Sequence, residues 1–441
     1  MVLDNGRGTG DFGNIRRVAM ISVHTSPFAT PGGKDAGGLN VYVRELSRQL
    51  GRRGIAVDVF TRRVAADMPD VVPVGDNVRI VYITAGPVAP LPKDDLFPYL
   101  GAFASEMALF GLRDGVSYDV IHSHYYLSGW VAHLLGRYWA APVVQMFHTL
   151  GALKKDAARA VGAHDGHESR QRIEIERRLI GEVDAIVAAN ARERAEMTWW
   201  YGQHTPKIHD IPCGIDLDLF QPGDRAAARA ALGFDAAPVL LFVGRIDPVK
   251  GLEFLLDGYA ALRATWTDGS PPRLVIVGGD LTPAGLGDDL ARIHAQAAAK
   301  GIADGITFAG SQPHERLPEY YNAADLVVVP SRYESFGLVA VEGMACGTPV
   351  VASRVGGLPY TVEDGINGFL MPYGAVDQLA AASAHVLRDP ALWAHLSAGA
   401  ITTAQRFGWE QVTERILALY RTVVAQRLAP VGGEIAVYAG D

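Results

Sequence analysis

The sequence has little that points to a disulfide, a metal site, a membrane span or a nucleic-acid surface. Its 441 residues include only two cysteines, Cys213 and Cys346, which are far apart and lack metal-ligand spacing, so neither a disulfide framework nor a zinc site is expected. No apolar run reaches the roughly 18 residues of a membrane span. Lysine and arginine number 40 against 48 aspartate and glutamate, and a net charge of −8 excludes the basic footprint of a general nucleic-acid binder.

Two further absences narrow the class of protein. The first residues are rich in glycine and aspartate without a hydrophobic segment, so they are not typical of a signal peptide. We therefore expect a cytoplasmic protein with a flexible tail over 1–14. The loop after the first apolar run lacks the G-x-G-x-x-G pattern of nicotinamide enzymes. No Asp-x-Asp pair or His/Cys cluster follows a predicted strand, so we expect no tightly bound metal.

Short apolar runs alternate with amphipathic helical patterns along the chain. Continuous runs rich in valine and isoleucine indicate strands buried on both faces of a parallel sheet, and repeated strand–helix units indicate a doubly wound α/β fold. Helices are predicted over 41–54, 252–266 and 409–426. The predicted strands are 17–23, 56–61, 78–83, 119–124, 142–149, 184–190, 238–244, 273–279, 305–310, 325–331 and 348–355.

The strand series starts afresh after a polar, proline-containing stretch, which predicts two domains. We expect two Rossmann-like domains with parallel sheets that face a cleft, where ligands bind at the carboxyl ends of the strands. The predicted division comprises the N-terminal domain (15–212), a hinge (213–224), the C-terminal domain (225–407), a final helix that packs back on the N-terminal domain (408–427) and a tail (428–441).

The most specific motif lies in the stretch PSRYESFGLVAVEGMACGTPVVASRVGG. Glu334 lies in a loop before a predicted helix, and Glu342 follows it by about two helical turns, where a carboxylate can accept hydrogen bonds from a ribose diol. Taken singly, Glu334 could only cap the helix and Glu342 could only be exposed. Free N–H groups at the helix start suit a diphosphate. The residues predicted to open this helix and its anion site are Ser335, Phe336, Gly337, Leu338 and Val339.

Two other segments carry candidate ligand-binding residues. Arg245 and Lys250 follow a predicted strand in FVGRIDPVKG, and two cations at such a place suit a leaving group that gains negative charge, although such cations are often only solvated. Gly37 and Gly38 lie in a glycine-rich loop after the first strand. Glycines permit a close approach of backbone to a ligand, and a flexible surface loop is the alternative.

The E-x7-E spacing of Glu334 and Glu342 and the segment GRIDPVKG resemble glycosyltransferase family 4, whose members adopt the GT-B fold. The resemblance implies that Glu334 contacts hydroxyls of the donor sugar and Glu342 contacts the ribose. It also implies that Gly37 and Gly38 touch the donor phosphate and that Asn40 lies near the acceptor. The C-terminal domain would then bind the nucleotide sugar and the N-terminal domain the acceptor.

Within this resemblance, His148 at the end of a predicted strand would lie beside the donor sugar. A buried, hydrogen-bonded histidine is the alternative. Retaining members of the family show no obvious enzymic nucleophile, so we expect same-face attack in which the leaving phosphate helps to deprotonate the acceptor. His148, Glu334, Arg245 and Lys250 are the catalytic candidates. We expect no cofactor besides the UDP-sugar, which is a substrate, and magnesium is not expected to be essential.

The acceptor is expected to carry a phosphate. The stretches GGLNVYV, IHSHYYLSG, FHTLGALK and ESFGLVAVE resemble family members that transfer N-acetylglucosamine to inositol phosphate in mycothiol biosynthesis. The resemblance implies an acceptor phosphate held by Lys93, Tyr125, Thr149 and Arg172. Two cations and two hydroxyls suit a dianion. The donor sugar, GlcNAc or glucose, stays open.

Three alternatives remain at this point. Sucrose-phosphate synthases are relatives that transfer glucose to a sugar phosphate, although they typically have GGQ where this chain has GGLN. A catalytically silent protein that binds nucleotide sugars is a different class. Arg44, Arg48 and Arg52 share one helix face, which in lipid-linked transferases docks on membrane, but few large apolar residues accompany them and membrane contact is not expected. A homodimer is one candidate assembly.

Overall fold

The computed structural model describes residues 15–28, 38–153, 155, 167–202, 207–282 and 285–428. The predicted tail 1–14, the tail beyond Leu428 and Gly37 lie outside the described residues.

The first half of the chain forms an α/β unit around one large sheet. Its strands are β1 (Arg17–Ile21), β2 (Ala56–Arg62), β3 (Val71–Gly75), β4 (Val78–Ile83), β5 (Val120–His124), β6 (Val143–Met146), β7 (Ala185–Ala188) and β8 (Ile208–Asp210). Its helices are α1 (Gly38–Arg52), α2 (Leu100–Asp114), α3 (Tyr125–Tyr138), α4 (His167–Glu182) and α5 (Ala191–Tyr201), with 3-10 turns at Lys93–Asp95 and Phe97–Tyr99. The strand order is β3-β4-β2-β1-β5-β6-β7-β8, and all neighbours are parallel except β3 with β4.

The second half forms a similar unit. Its strands are β9 (Val239–Val243), β10 (Arg273–Val277), β11 (Leu281–Thr282), β12 (Gly285–Leu286), β13 (Ile306–Gly310), β14 (Leu326–Val329), β15 (Val350–Ser353) and β16 (Gly368–Met371). Its helices are α6 (Arg225–Leu232), α7 (Leu252–Ala264), α8 (Asp288–Ala299), α9 (Leu317–Ala323), α10 (Leu338–Ala345), α11 (Leu358–Thr361), α12 (Val376–Arg388) and α13 (Pro390–Ala404), followed by α14 (Trp409–Leu428). The 3-10 turns are Pro248–Lys250, Ala303–Gly305, His314–Arg316 and Gln405–Phe407. A parallel sheet of order β13-β10-β9-β14-β15-β16 is its centre, and β11 and β12 form a separate hairpin.

The central strands lie in the core and their side chains are largely apolar, with buried polar exceptions that include His122, Ser123 and His124 of β5 and Gln145 of β6. Every residue of β5, β6, β14 and β15 is buried, and helices cover both sides of each sheet. Such two-sided burial is typical of parallel α/β sheets. All eleven strands that the sequence predicts occur in the structure, and the predicted fold class, two Rossmann-like parallel-sheet units, is confirmed.

The two units are joined by two passages of chain that lie side by side. Ile215 donates its N–H to the carbonyl oxygen of Phe407 at 2.8 Å and accepts the N–H of Trp409 at 3.2 Å. A Cβ at Gly214 would overlap the Trp409 ring, so only glycine allows this approach. Beyond the crossing, α14 packs against the N-terminal unit, where the Tyr420 hydroxyl lies 2.7 Å from Nδ1 of His122.

Two arginines on the basic face of α1, Arg44 and Arg48, are paired with Glu45, whereas Arg52 is exposed. Arg44 Nε and Arg48 Nη1 lie 2.8 and 3.0 Å from Glu45 Oε1, and Arg53 Nε lies 3.0 Å from Glu414 on α14. Among the described residues, no helix is both long enough and apolar enough to span a membrane.

Candidate active site

Three of the four predicted phosphate-binding residues meet at the carboxyl ends of β5 and β6. Tyr125 follows β5, Thr149 follows β6, and Arg172 lies on α4, where it is only 4% exposed. Arg172 Nη1 donates to the Tyr125 hydroxyl at 3.0 Å. Its Nη2 donates to the carbonyl oxygen of Thr149 at 2.5 Å and to Thr149 Oγ1 at 3.0 Å. The structure therefore joins three separate chain segments through one guanidinium group.

A buried carboxylate that the sequence analysis missed supports this guanidinium. Glu176 is fully buried and accepts from Arg172 Nε at 2.7 Å, from the N–H of Gly151 at 2.9 Å and from the hydroxyl of Tyr201. Burial by itself lowers the pKa of Arg172, but the charge and hydrogen bond of Glu176 outweigh this effect and raise it. The spacing of Arg172 and Glu176, four residues apart on one helix, was the available clue.

The fourth residue, Lys93, lies in the 3-10 turn after β4 and is half-buried. Within the described residues, no hydrogen bond joins it to the other three. The positive charge of Lys93 acts on His24, whose ring centroid lies 4.7 Å from that of Tyr125. The sequence analysis also missed His24. Burial, with smaller effects of the charges on Lys93 and Arg172, lowers the pKa of His24 to about 3. Lys93 and Arg172 thus act on the same small region.

His148 lies at the next position along this edge, two residues after β6. Its Nε2 is 3.0 Å from Nδ1 of His124, the last residue of β5, and its ring meets Tyr42 of α1 edge-on at 5.4 Å. Burial, with smaller effects of His122 and His24, lowers its pKa to about 3. His148 is therefore a neutral imidazole at ordinary pH.

On the C-terminal side, Lys250 and Glu334 form an ion pair. Lys250 Nζ lies 2.6 Å from Glu334 Oε2, and both side chains are mostly buried. Arg245 is 59% exposed, and its nearest acidic partner is Asp247 at 3.8 Å. The loop of Glu334 is fixed by a glycine pair, because Gly357 donates its N–H to the Glu334 carbonyl oxygen at 2.8 Å and a Cβ at Gly356 would overlap that oxygen.

The helix after this loop begins later than the sequence predicts. α10 starts at Leu338, and the prediction that Ser335, Phe336 and Gly337 open it is wrong. The reason is that Gly337, which caps the helix, has a φ of +91°, and this left-handed residue separates Ser335 and Phe336 from the right-handed turns that begin at Leu338. Phe336 instead packs in the core against the ring of Phe407 at 5.5 Å.

Two helix N-termini from the two halves of the chain nevertheless meet here. Gly38 is the first residue of α1, and a Cβ at Gly38 would lie 3.1 Å from Cδ1 of Leu338, the first residue of α10. Val339 completes the start of this helix and, like Leu338, is half-buried. Helix N-termini present N–H groups and partial positive charge, which favour an anion.

Two amide side chains link the loops around these N-termini. Asn40 Nδ2 donates to Thr25 Oγ1 at 3.0 Å, which ties α1 to the loop after β1. Asn190 Nδ2 donates to the carbonyl oxygen of Ser335 at 3.0 Å, which ties the N-terminal unit to the loop of Glu334. The sequence analysis missed Asn190, because its partner lies 145 residues away.

Glu342 is buried on α10, with both carboxylate oxygens in contact with protein groups. The Tyr321 hydroxyl donates to Oε2 at 2.7 Å, and Oε1 lies 3.4 Å from Nε2 of His314. Burial alone would lower the pKa of His314, but its interaction with Glu342 raises it. Glu342 is thus held in place rather than merely exposed.

The described residues contain no group of three or more His, Cys, Asp or Glu placed to hold a metal ion. The described side chains supply cationic and hydrogen-bonding chemistry. It comprises a neutral imidazole, a Lys–Glu pair, and a buried guanidinium with two hydroxyl groups.

Comparisons with known proteins identify the family of the chain. The model of "Glycosyltransferase Family 4" matches residues 36–219, and that of "Glycosyl transferases group 1" matches residues 224–403. The chain is 44% identical to the D-inositol 3-phosphate glycosyltransferase of Acidothermus cellulolyticus, over 93% of this chain and 91% of that protein. It is 45% identical to the protein of the same name from Geodermatophilus obscurus, over 94% and 91% of the two chains.

Solved structures show the same fold. Sucrose-phosphate synthase from Thermosynechococcus elongatus superimposes with a TM-score of 0.84 and 36% identity, over 93% of this chain and 100% of that chain. Anabaena HepE in complex with UDP and glucose has a TM-score of 0.70 at 21% identity, over 92% of this chain and 100% of that chain, and is similar in fold. The chain belongs to glycosyltransferase family 4, has the GT-B fold and is a sugar-transferring enzyme.

Proposed function

We propose that this enzyme transfers a sugar, GlcNAc or glucose, from a UDP-sugar to a phosphorylated polyol such as inositol phosphate. The observation that supports this acceptor best is the buried guanidinium of Arg172, bonded to Tyr125 and Thr149. Curated relatives at 44% and 45% identity carry the name D-inositol 3-phosphate glycosyltransferase. We assign acceptor binding to the N-terminal domain (15–212) and donor binding to the C-terminal domain (225–407), with a hinge at 213–224.

The guanidinium of Arg172 has capacity left for an acceptor phosphate. Arginine has five N–H donors, and its hydrogen bonds to Glu176, Tyr125 and Thr149 use at most four of them. Thr149 Oγ1 accepts from Arg172, so its own proton can be donated. A phosphate bound here would lie within the field of Lys93 as well. Charge-assisted bonds of this kind are roughly twice as strong as neutral ones.

The donor side fits a nucleoside diphosphate sugar. The adjacent N-termini of α1 and α10, which start at Gly38 and Leu338, offer N–H groups to a diphosphate. Lys250 and Arg245 supply positive charge where the leaving phosphate gains negative charge. Glu334 would bind hydroxyls of the donor sugar, and its contact of 2.6 Å with Lys250 Nζ holds the side chain in place. We assign the ribose to Glu342 on α10.

We further propose that the reaction retains the anomeric configuration. The acceptor hydroxyl attacks the face from which the diphosphate departs, the bond from the anomeric carbon to the phosphate oxygen breaks, and the hydroxyl proton passes to the departing phosphate. His148 is neutral and would orient the donor sugar rather than attack it. With Arg245, Lys250 and two helix N-termini available for the diphosphate, turnover requires no metal ion.

A second acceptor class is supported by one specific comparison. The 36% identity to a sucrose-phosphate synthase over 93% of this chain supports a sugar phosphate in the same pocket. Both candidates share the phosphate and differ in the group that bears the attacking hydroxyl.

The test is mass-spectrometric detection of product from UDP-GlcNAc and UDP-glucose with three acceptors: inositol phosphate, free inositol and fructose 6-phosphate. We expect product from inositol phosphate and much less from free inositol. Lys250→Met serves as the inactive control, because it leaves the acceptor pocket untouched. Product from fructose 6-phosphate alone would favour the second acceptor class. Equal use of inositol and inositol phosphate would contradict a phosphate pocket.

A further inference from the structure

Three histidine side chains form a row beneath the substrate-facing edge of the N-terminal sheet. His122 and His124 lie on β5 with ring centroids 4.4 Å apart, and His148 follows β6 with its ring centroid 5.2 Å from that of His124. His122 and His124 are completely buried. Neither has a role in the proposed reaction, yet His124 touches a residue that does.

The rings of His124 and His148 are neutral. Burial, with smaller effects of the neighbouring histidines, lowers the pKa of His124 well below its usual value and lowers that of His148 to about 3. A neutral imidazole has one N–H donor and one unprotonated acceptor nitrogen. In the contact of 3.0 Å between His124 Nδ1 and His148 Nε2, one nitrogen must therefore donate and the other accept.

Met20 decides which nitrogen donates. His124 Nε2 lies 2.8 Å from Met20 Sδ on β1, where both side chains are fully buried. A thioether sulfur has no proton and can only accept, so Nε2 of His124 carries the proton. Nδ1 of His124 is then the acceptor, and the proton of His148 is on Nε2.

We propose that His124 is a positioning residue that fixes the proton of His148 on Nε2 and so keeps Nδ1 of His148 as a hydrogen-bond acceptor for a substrate hydroxyl. This inference rests on the proposed function, in which His148 orients the donor sugar. The left-handed backbone of His148, with a φ of +60°, also depends on contacts with its neighbours, because a residue with a Cβ seldom adopts this conformation. The bond from His148 to His124 is one such contact.

The first test needs no change at His124. Side-chain 15N spectra of the wild-type protein, with histidine labelled and UDP bound, report which nitrogen of each ring is protonated. His148→Gln removes one set of signals and identifies it. We expect His148 to carry its proton on Nε2, and a proton on Nδ1 would overturn the proposal. If the wild type fails to use inositol phosphate, the proposed acceptor is wrong, but this measurement is unaffected.

The second test uses paired variants of His124. His124→Leu removes the acceptor, whereas His124→Asn places an amide near the position of Nδ1. We expect kcat to fall on the order of tenfold in His124→Leu, the effect of one lost neutral hydrogen bond, with the KM of the acceptor little changed. The His148 signals should then show both tautomers, and His124→Asn should restore much of the loss.

His122→Leu is the matched control. His122 lies on the same strand, is equally buried and bonds to Tyr420 rather than to His148. Its loss should disturb packing to a similar degree while the tautomer of His148 stays as in the wild type. If His124→Leu leaves both the tautomer and kcat unchanged, or if His122→Leu shifts the tautomer equally, His124 has no positioning role.

Discussion

Replacement of Arg172 separates its structural role from its proposed role at the acceptor phosphate. Arg172 forms a buried ion pair with Glu176, whose side chain is fully buried. Arg172→Met leaves that carboxylate without its cation. Breaking one side of a buried pair typically costs about 3–5 kcal/mol of unfolding free energy. This is a large share of the roughly 5–15 kcal/mol by which proteins are stable.

The double variant Arg172→Met/Glu176→Gln removes both charges. Glutamine keeps an amide oxygen that can accept the N–H of Gly151, which donates to Glu176 at 2.9 Å in the native protein. We expect the double variant to recover most of the lost stability. Urea unfolding, followed by the fluorescence of the seven tryptophans, measures both changes.

The kinetic result should not follow the stability result. Both variants lack the guanidinium, so kcat/KM for inositol phosphate should fall in both by about 10- to 150-fold, the effect of one charge-assisted hydrogen bond of about 1.5–3 kcal/mol. The affinity for UDP should be unchanged, because Arg172 lies in the proposed acceptor pocket. A stable double variant with the wild-type kcat/KM for inositol phosphate would refute the assignment of Arg172 to the phosphate. A single variant as stable as the wild type would refute the dependence of Glu176 on Arg172.

Three further predictions address the donor site, pH and metal. Glu342→Gln should weaken UDP binding by about tenfold or more in calorimetry. Tyr321→Phe removes only the hydrogen bond from the Tyr321 hydroxyl to Glu342 and should leave UDP binding unchanged. Equal losses in the two variants would remove Glu342 from the ribose site. Burial raises the pKa of the Glu193 carboxyl from 4.5 to about 7. Between these two pH values the folded protein holds a proton on Glu193 that the unfolded chain has lost. The contribution of Glu193 to the free energy of unfolding therefore declines as pH rises from about 4.5 to 7. Glu193→Gln should therefore gain stability relative to wild type between about pH 5 and about pH 8 in urea unfolding, and a constant difference would contradict the raised pKa. Activity should survive EDTA treatment; loss that magnesium restores would show that the cationic groups do not suffice.

Most of the fold could be predicted because its main strands lie in continuous, largely apolar runs and are buried on both faces. The strands that the sequence analysis missed are short or carry breaking residues. β8 has only three residues, two of them polar, and β16 (GFLM) begins with glycine and is only partly buried. β3 is an antiparallel edge strand that contains Pro73. The two-residue strands of the β11–β12 hairpin were missed because they are short.

The site residues that were predicted share a local clue, and most of those that were missed do not. Lys250 and Glu334 belong to recognisable motifs, and the structure joins them at 2.6 Å although 84 residues separate them. Glu176 has a local clue in its spacing of four residues from Arg172, whereas His124 and Asn190 have partners that only the folded chain brings close. No spacing in the sequence indicates that a histidine at the end of one strand will meet another beyond the next strand.

Tyr125 and His148 show most directly why local preference fails at this edge. Their φ angles are +74° and +60°, values that are uncommon for any residue with a Cβ and above all for a bulky one such as tyrosine. Such a conformation costs on the order of 1–3 kcal/mol and persists only where the surroundings over-determine it. Here those surroundings are visible, because the Tyr125 hydroxyl accepts from Arg172 and the His148 ring bonds to His124. Both residues follow neighbouring parallel strands, so their backbone conformations are imposed by side-chain contacts across the sheet edge. The backbone conformations of Tyr125 and His148 therefore depend on the folded site and cannot be predicted from the residues next to them in the sequence.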